Sequence, residues 1–297
     1  MNAREQGFLL LSSQLGDPAR HPLTIAQLRQ LGRRVRGRDA TTEDRELLPE
    51  DLTALGYGPD MARRIIRLLQ DEAPLHHYLQ RGKTMGCIPI SRVSEGYPMT
   101  VHNRLGDDAP GCIWAKGDLS LLQFPGVALV GSRDISGAGL DFAKTVGMEA
   151  AKQGFVLISG NARGADRAAQ DSCLQNGGQV ISIVADELER HRPTDRILYL
   201  SEDSFDLPFS TQRALSRNRL IHCMGLRTFV AQVSLHHGGT WDGSVKNLRN
   251  NWSPLYCYDD GSPAVQELLQ MGAGAVDIGD LRDIPALPIR FMDLFNS

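Results

Sequence analysis

The sequence predicts an α/β protein: a mostly parallel sheet with helices on both faces, preceded by a small helical domain. Three observations carry this. From Gly86 onward, short apolar or β-branched runs alternate with stretches of helical length. Residues up to about Arg81 instead show helical spacing throughout. Glycine-bearing loops follow two of the runs, as turns from strand to helix demand. The resulting division is a helical part over residues 1–85, an α/β domain over 86–280 and a tail over 281–297.

In the helical part, Pro22-Leu23-Thr24 signals the start of a helix over 25–31. Arg33, Arg34, Arg36 and Arg38 then open a polar loop. Two further helices flank Leu55-Gly56-Tyr57-Gly58-Pro59. Leu52 and Leu55 mark the apolar side of the first, and Met61, Ile65, Leu68 and Leu69 that of the second. Pro59 suits the first turn of the second helix. The pattern fits a SAM or helix-hairpin-helix unit whose glycines offer N–H groups to a DNA phosphate, with Arg63, Arg64 and Arg67 nearby. An αα-corner that only packs is at least as good a reading.

In the α/β domain, residues 127–130, 155–158, 180–184, 228–233 and 255–258 read as strands. Residues 138–152, 166–176, 212–223 and 263–271 read as helices. The tail contains prolines and ends in Phe291-Met292-Asp293-Leu294-Phe295, for which docking and a loose end both stay open.

The formal charge of −3 over 297 residues shows no overall basicity, so any nucleic-acid surface must be a local patch. The apolar run 8–11 is too short for a signal peptide core, and nothing approaches a membrane span. Five scattered cysteines with no C-x-x-C pair read as reduced thiols in a cytoplasmic protein, and no zinc site is indicated. The adjacent pairs His76-His77 and His236-His237 point to opposite sides of their elements and do not suggest a shared metal.

Three segments carry the chemistry, because ligands of an open parallel sheet gather at the carboxyl ends of its strands. Gly131-Ser132-Arg133 follows the first core strand. Glycine admits close backbone approach, Ser132 can donate to a phosphate oxygen, and Arg133 offers a bidentate fork. A plain turn with a surface arginine is an equal reading of that segment alone. The second segment, 159–166, contains Ser159, Gly160, Arg163, Gly164 and Asp166, with Arg167 next to it. It precedes a helix whose positive N-terminus suits an anion, and Asp166 suits the N-cap. It is not G-x-G-x-x-G, and no acidic ribose-binding residue follows, so no dinucleotide cofactor is expected. The third segment places Arg213, Arg217 and, less directly, Arg219 near one face of a helix, the first two at i and i+4, and with Ser216 and Asn218 they make a phosphate clamp. A solvated basic face is the alternative.

Together, in this order, the three segments resemble the DprA/Smf family of DNA-processing proteins, which carry G-S-R, S-G-x-A-x-G-x-D and R-N-R. Tyr97-Pro98, residues 110–117 and residues 267–273 extend the likeness over roughly 86–280. The resemblance implies a Rossmann-like domain that binds and shields single-stranded DNA without catalysis. It also implies delivery of the strand to the RecA recombinase, and self-association as a homodimer. By carry-over the contact residues are Arg133, Ser159, Gly160, Arg163, Gly164, Arg217 and Arg219; the three segments themselves add Gly131, Ser132, Arg167, Arg213 and Asn218, and Lys246 and Arg249 are basic additions from this sequence alone. Three departures weigh against the RecA contact in particular. Gln170 stands where the family has His, Ala214-Leu215 replaces Phe-Pro, and the S-G-S-x-x-T-A segment is blurred over 237–243. No winged helix is expected, since the sequence ends at Ser297.

A second resemblance competes. Gly238-Gly239-Thr240 is similar to the signature of the LOG phosphoribohydrolases, which cleave a nucleoside monophosphate at its N-glycosidic bond. That signature's proline and glutamate are missing here, and Asp242 is the available substitute. Trp241, Trp252 and Tyr256 are either base-stacking residues or core.

Overall fold

The chain opens with helices α1 (Ala3–Ser12), α2 (Ile25–Val35), α3 (Pro49–Ala54), α4 (Pro59–Leu69) and α5 (Glu72–Thr84) in the computed structural model, which describes residues 1–36, 47–135, 137–202 and 204–289. The expectations for Arg38 and for the segment 291–295 fall outside the described residues. Capping boxes start α1 and α2, from Asn2 with Glu5 and from Thr24 with Gln27. Leu11, Leu28, Leu52, Ala62, Ile65 and Leu68 form a small core between these helices. Arg34 stacks on Tyr57 at 4.2 Å, and Arg64 donates to the carbonyls of His21 and Pro22 at 2.9 and 3.0 Å. Those two arginines of the hairpin region therefore serve packing.

The rest of the chain runs β1 (Ile88–Ser91), α6 (Met99–Leu105), β2 (Cys112–Lys116), β3 (Gly126–Val130), α7 (Gly137–Lys152), β4 (Val156–Ser159), α8 (Ala165–Gln175), β5 (Gln179–Val184) and β6 (Ile197–Glu202). It continues with α9 (Thr211–Met224), β7 (Thr228–Val230), α10 (Gly238–Asn250), β8 (Leu255–Tyr258), α11 (Pro263–Gln270) and β9 (Gly274–Val276). The strands form one sheet in the order β1-β2-β6-β5-β4-β3-β7-β8-β9. All pairings from β6 to β9 are parallel, while β2 is antiparallel to both β1 and β6. The expected α/β architecture is therefore present, with four strands beyond those read from the sequence.

Side-chain alternation along β3 shows why both faces are covered. Val127 and Leu129 point into a core shared with Phe142, Val146, Ala165 and Ala169 of α7 and α8. Ala128 and Val130 point into the opposite core, with Val101, Leu220, Ile221, Leu248 and Leu268 of α6, α9, α10 and α11. Trp114 of β2, Phe205 and Tyr78 of α5 form a third cluster with Leu9 and Leu10, which welds the helical part to the sheet edge. Residues 280–289 dock: Leu281, Ile284 and Leu287 are buried, and Tyr256 donates its hydroxyl to the Pro288 carbonyl at 2.7 Å. Tyr256 is thus core rather than a base platform. All five cysteines are free and buried.

Between α9 and α10 lies His222, fully buried, with both ring nitrogens unpartnered among the described residues. Burial pushes its pKa down to about 3. Below about pH 6.5 the unfolded chain takes up a proton that the fold refuses until about 3, so stability falls across that window. Urea unfolding at pH 7 and pH 5 should show His222→Leu flattening this decline, by up to about 1.4 kcal/mol per pH unit. An unchanged slope would count against it.

Candidate nucleic-acid interface

The chain leaves β3 in two directions. Segments β4, β5 and β6 build outward on one side, and β7, β8 and β9 on the other. The crevice between the carboxyl ends of β3 and β7 is thus the topological switch point, where an open α/β sheet binds its ligand. A cleft of about 400 Å³ lies there, lined by Gly131, Ser132, Arg133, Arg217, Asn218 and the 237–240 turn, among others. A second pocket of about 290 Å³ adjoins it on the β5 side, and Arg133, Ala162, Phe209 and Arg217 line both.

Two loops are locked together beneath this site. Gly164, at φ +82°, has its Cα pressed against the carbonyls of Ser132 and Arg133, and a Cβ there would lie 2.5 Å from the Ser132 oxygen. The Ala165 N–H donates to that same oxygen at 3.1 Å, and the Ser132 N–H donates to the Gln232 carbonyl at 3.0 Å. Thr240 Oγ1 donates to the Gly131 carbonyl at 3.0 Å, tying α10 to the same turn. The backbone N–H of Ser132 is consequently taken, and what the 131–133 segment offers outward is the exposed Arg133 guanidinium. It sits 5.9 Å above the ring of Phe209, which is 53% exposed.

Asp166 does not cap α8 as expected; Gly164 is the N-cap and Asp166 lies within the first turn. Its Oδ2 accepts from the N–H groups of Gly160 and Ala162 at 3.1 and 3.2 Å. The carboxylate thereby fills the amide cradle that the sequence reading offers to a phosphate. Behind it lies Arg217, only 6% exposed, so close to Gly160 that any Cβ there would overlap the guanidinium. Arg217 Nη1 donates to the Ile183 carbonyl at 2.8 Å, while Nε has no partner among the described residues. Burial lowers the Arg217 pKa against the opposing pull of Asp166, with repulsion from Arg133 adding to the depression. Burial raises that of Asp166 against the pull of Arg217 and the two amides.

The expected residues therefore divide. Gly131, Ser132, Arg133, Arg217 and Asn218 line the cleft, and Gly160 and Arg163 line the adjoining pocket. Asn218 Nδ2 donates to the Gly239 carbonyl at 3.1 Å. Arg163 pairs with Asp134 at 2.8 Å, and Arg167 is exposed on the first turn of α8. Ser159 is buried at the end of β4, its Oγ accepting from Gln170 at 2.6 Å; Gln170 also reaches Ser182, which gives the departure at 170 a structural role. Arg213 is spent on the carbonyls of Ala185 and Leu207, at 2.8 and 2.7 Å. Arg219 pairs with Glu202 and donates to the Asp108 carbonyl, lining a separate pocket with Arg104 and Trp252. Two residues apart on a helix, Arg217 and Arg219 point about 200° apart, so a single three-arginine clamp does not form. Lys246 pairs with Asp242 at 2.8 Å on α10 and is not among the cleft residues.

Reasoning from the sequence missed Phe209, Leu215, Gln232 and His237, which complete the cleft walls. It also missed that Gly238, Gly239 and Thr240 open α10 at the cleft, so the helix presents its positive end there. The glycine pair was the available signal, a close-approach turn before a helix.

Comparison with known proteins follows this geometry. The family model of DNA recombination-mediator protein A matches residues 89–278. The DNA processing protein DprA of Streptococcus pneumoniae is 28% identical over 251 residues, spanning 80% of this chain and 86% of its own. That of Bacillus subtilis is 27% identical over 210 residues, spanning 66% and 69%. The crystal structure of the S. pneumoniae protein superposes with a TM-score of 0.70 at 23% identity, covering 97% of this chain and 99% of that one. DNA processing protein A of Helicobacter pylori, a structure concerned with its single-stranded DNA binding mode, matches with a TM-score of 0.55 at 23% identity, over 66% and 94%. At such identities the two structures speak for the shared fold.

Proposed function

Because the chain belongs to the DNA recombination-mediator protein A family, whose DprA and Smf members match it, we propose that its switch-point cleft binds single-stranded DNA. The observation that carries this is the exposed Arg133 guanidinium at the junction of two pockets, in the same cleft as the opening turn of α10. Phosphodiester oxygens find a charged fork and a helix dipole there, and Phe209 and Leu215 supply apolar surface for bases.

The reading is of a binding protein without catalysis. A nucleotide N-glycosidase would need a carboxylate in line with the bond to be cut. Asp242, the one substitute the sequence offers, is ion-paired with Lys246 and is not among the cleft residues. The finer parts rest on the family resemblance: action in the cytoplasm, delivery of the strand to RecA, and a homodimer. Residues 1–85 and 281–297 are then accessory to the strand-binding domain over 86–280. No helix among the described residues is long and apolar enough to cross a membrane.

Fluorescence anisotropy with an oligo-dT tests the core claim. Affinity should fall with salt at a slope of about −1.4 to −2.1, for two or three phosphates engaged. Arg133→Ala should weaken binding about 10- to 100-fold, the range for a lost charged hydrogen bond. A flat salt dependence, or a mononucleotide that competes and releases free base, would overturn it in favour of the enzyme. Size-exclusion with light scattering and a pull-down with RecA test the finer claims; a monomer deaf to RecA would remove both.

A further inference from the structure

The ion pair between Arg163 and Asp134 joins two loops at the lip of the site, at 2.8 Å, with side chains 74% and 80% exposed. An ion pair so open to water adds little to folding. Its position gives it another consequence. Asp134 lines the larger cleft, Arg163 lines the adjoining pocket, and Arg133 lines both. The backbone holds Asp134 where it is: its N–H donates to Ser132 Oγ at 3.1 Å, and the turn it extends is pressed onto Gly164. A carboxylate oxygen on a guanidinium occupies the place that a phosphate oxygen would take.

We propose that Asp134 is a specificity-determining residue that sets strand affinity by holding Arg163 until a phosphodiester displaces it. The inference rests on the strand-binding reading above. Binding breaks the pair, leaves a carboxylate beside the incoming phosphate, and so opposes itself. Weak polyanion contacts are discouraged, and only a ligand that also engages Arg133 overcomes the cost. Asp134 thus works as a built-in rival anion beside Arg133 and Arg163.

Anisotropy with the same oligo-dT, on wild-type protein and variants, decides it. Asp134→Asn should bind about two- to fivefold tighter at low salt, the size of an exposed charge contact. Its salt slope should be steeper by about 0.7, because the lip then faces the strand with one more net positive charge. Arg163→Ala should cost that gain in the Asp134→Asn background and cost less in the wild type, where the lost contact is offset by a pair that no longer has to break. A merely structural pair would produce neither the tighter binding nor this coupling. With the Arg133 dependence intact, an Asp134→Asn protein that binds no tighter overturns this inference alone; so does an Arg163→Ala loss equal in both backgrounds. Binding indifferent to Arg133→Ala overturns the strand-binding reading, and this inference with it.

Discussion

Gly164→Ala should cost about 2–5 kcal/mol of folding stability and abolish strand binding, by adding one methyl group. Two penalties coincide. At φ +82° an L-residue is strained, and the new Cβ would meet the Ser132 oxygen at 2.5 Å and the Arg133 carbonyl closer still. Backbone atoms cannot swing aside as a side chain can, so the 131–133 turn must move. Moving it displaces Arg133 and breaks the Ala165-to-Ser132 hydrogen bond that aligns α8 with the cleft. Gly177→Ala separates the two penalties, since Gly177 sits at φ +80° with nothing within 4 Å. It should lose only the conformational part, about 1–2 kcal/mol, and bind DNA as wild type does. Urea midpoints and oligo-dT anisotropy read both quantities. Equal losses for the two variants, with binding kept in both, would refute the locked-loop account.

How far the sequence discloses this architecture depends on what each element buries. Strands β3, β4, β5, β7 and β8 are flanked on both faces by helices or by the docked 280–289 segment, so they read as short apolar runs. Strand β6 alternates Leu198 and Leu200 with Tyr199 and Ser201 and ends on Glu202, while β9 has three residues; neither offers such a run. Helix α10 is harder still. Of its buried positions Gly243, Ser244, Asn247 and Leu248, three are small or polar and let it lie close to α9. Its apolar positions, Trp241, Val245 and Leu248, are interspersed with these small and polar ones, and of the three only Leu248 is buried rather than partly buried, so the apolar stripe is thin. At the site, Gly131–Arg133 and the 159–166 loop stand out in the sequence because each is a glycine-bearing turn directly after a core strand. The task of Asp166 does not. Whether a first-turn carboxylate caps its helix or reaches back to two loop amides depends on the path of the loop. The divergence of Arg217 and Arg219, by contrast, follows from helical pitch alone.

Asp166 and Arg217, both buried and electrostatically coupled without a direct hydrogen bond, support the other large effect. Arg217→Met keeps the side chain's length and removes its charge, leaving Asp166 in the core without a counter-ion. Breaking a directly bonded buried pair from one side costs about 3–5 kcal/mol, and the loss here should be no larger. The loss should depend on pH in a set direction. Burial already holds the Asp166 carboxyl above the ordinary carboxylate range, and Arg217 is the chief group pulling it back. Without Arg217 the folded pKa rises further above the unfolded one. The deficit is then greatest well above the folded pKa and shrinks as pH falls through it, because a protonated Asp166 needs no partner. Asp166→Asn in the same chain removes the stranded charge and leaves one oxygen for the amides of Gly160 and Ala162. The double variant should therefore be more stable at pH 7.5 than Arg217→Met alone, and its deficit should be flat with pH. Urea unfolding at pH 7.5 and 5 for both variants tests this. Additive losses that ignore pH would mean that Arg217 acts through its contacts with Ile183 and Gly160 rather than through its charge.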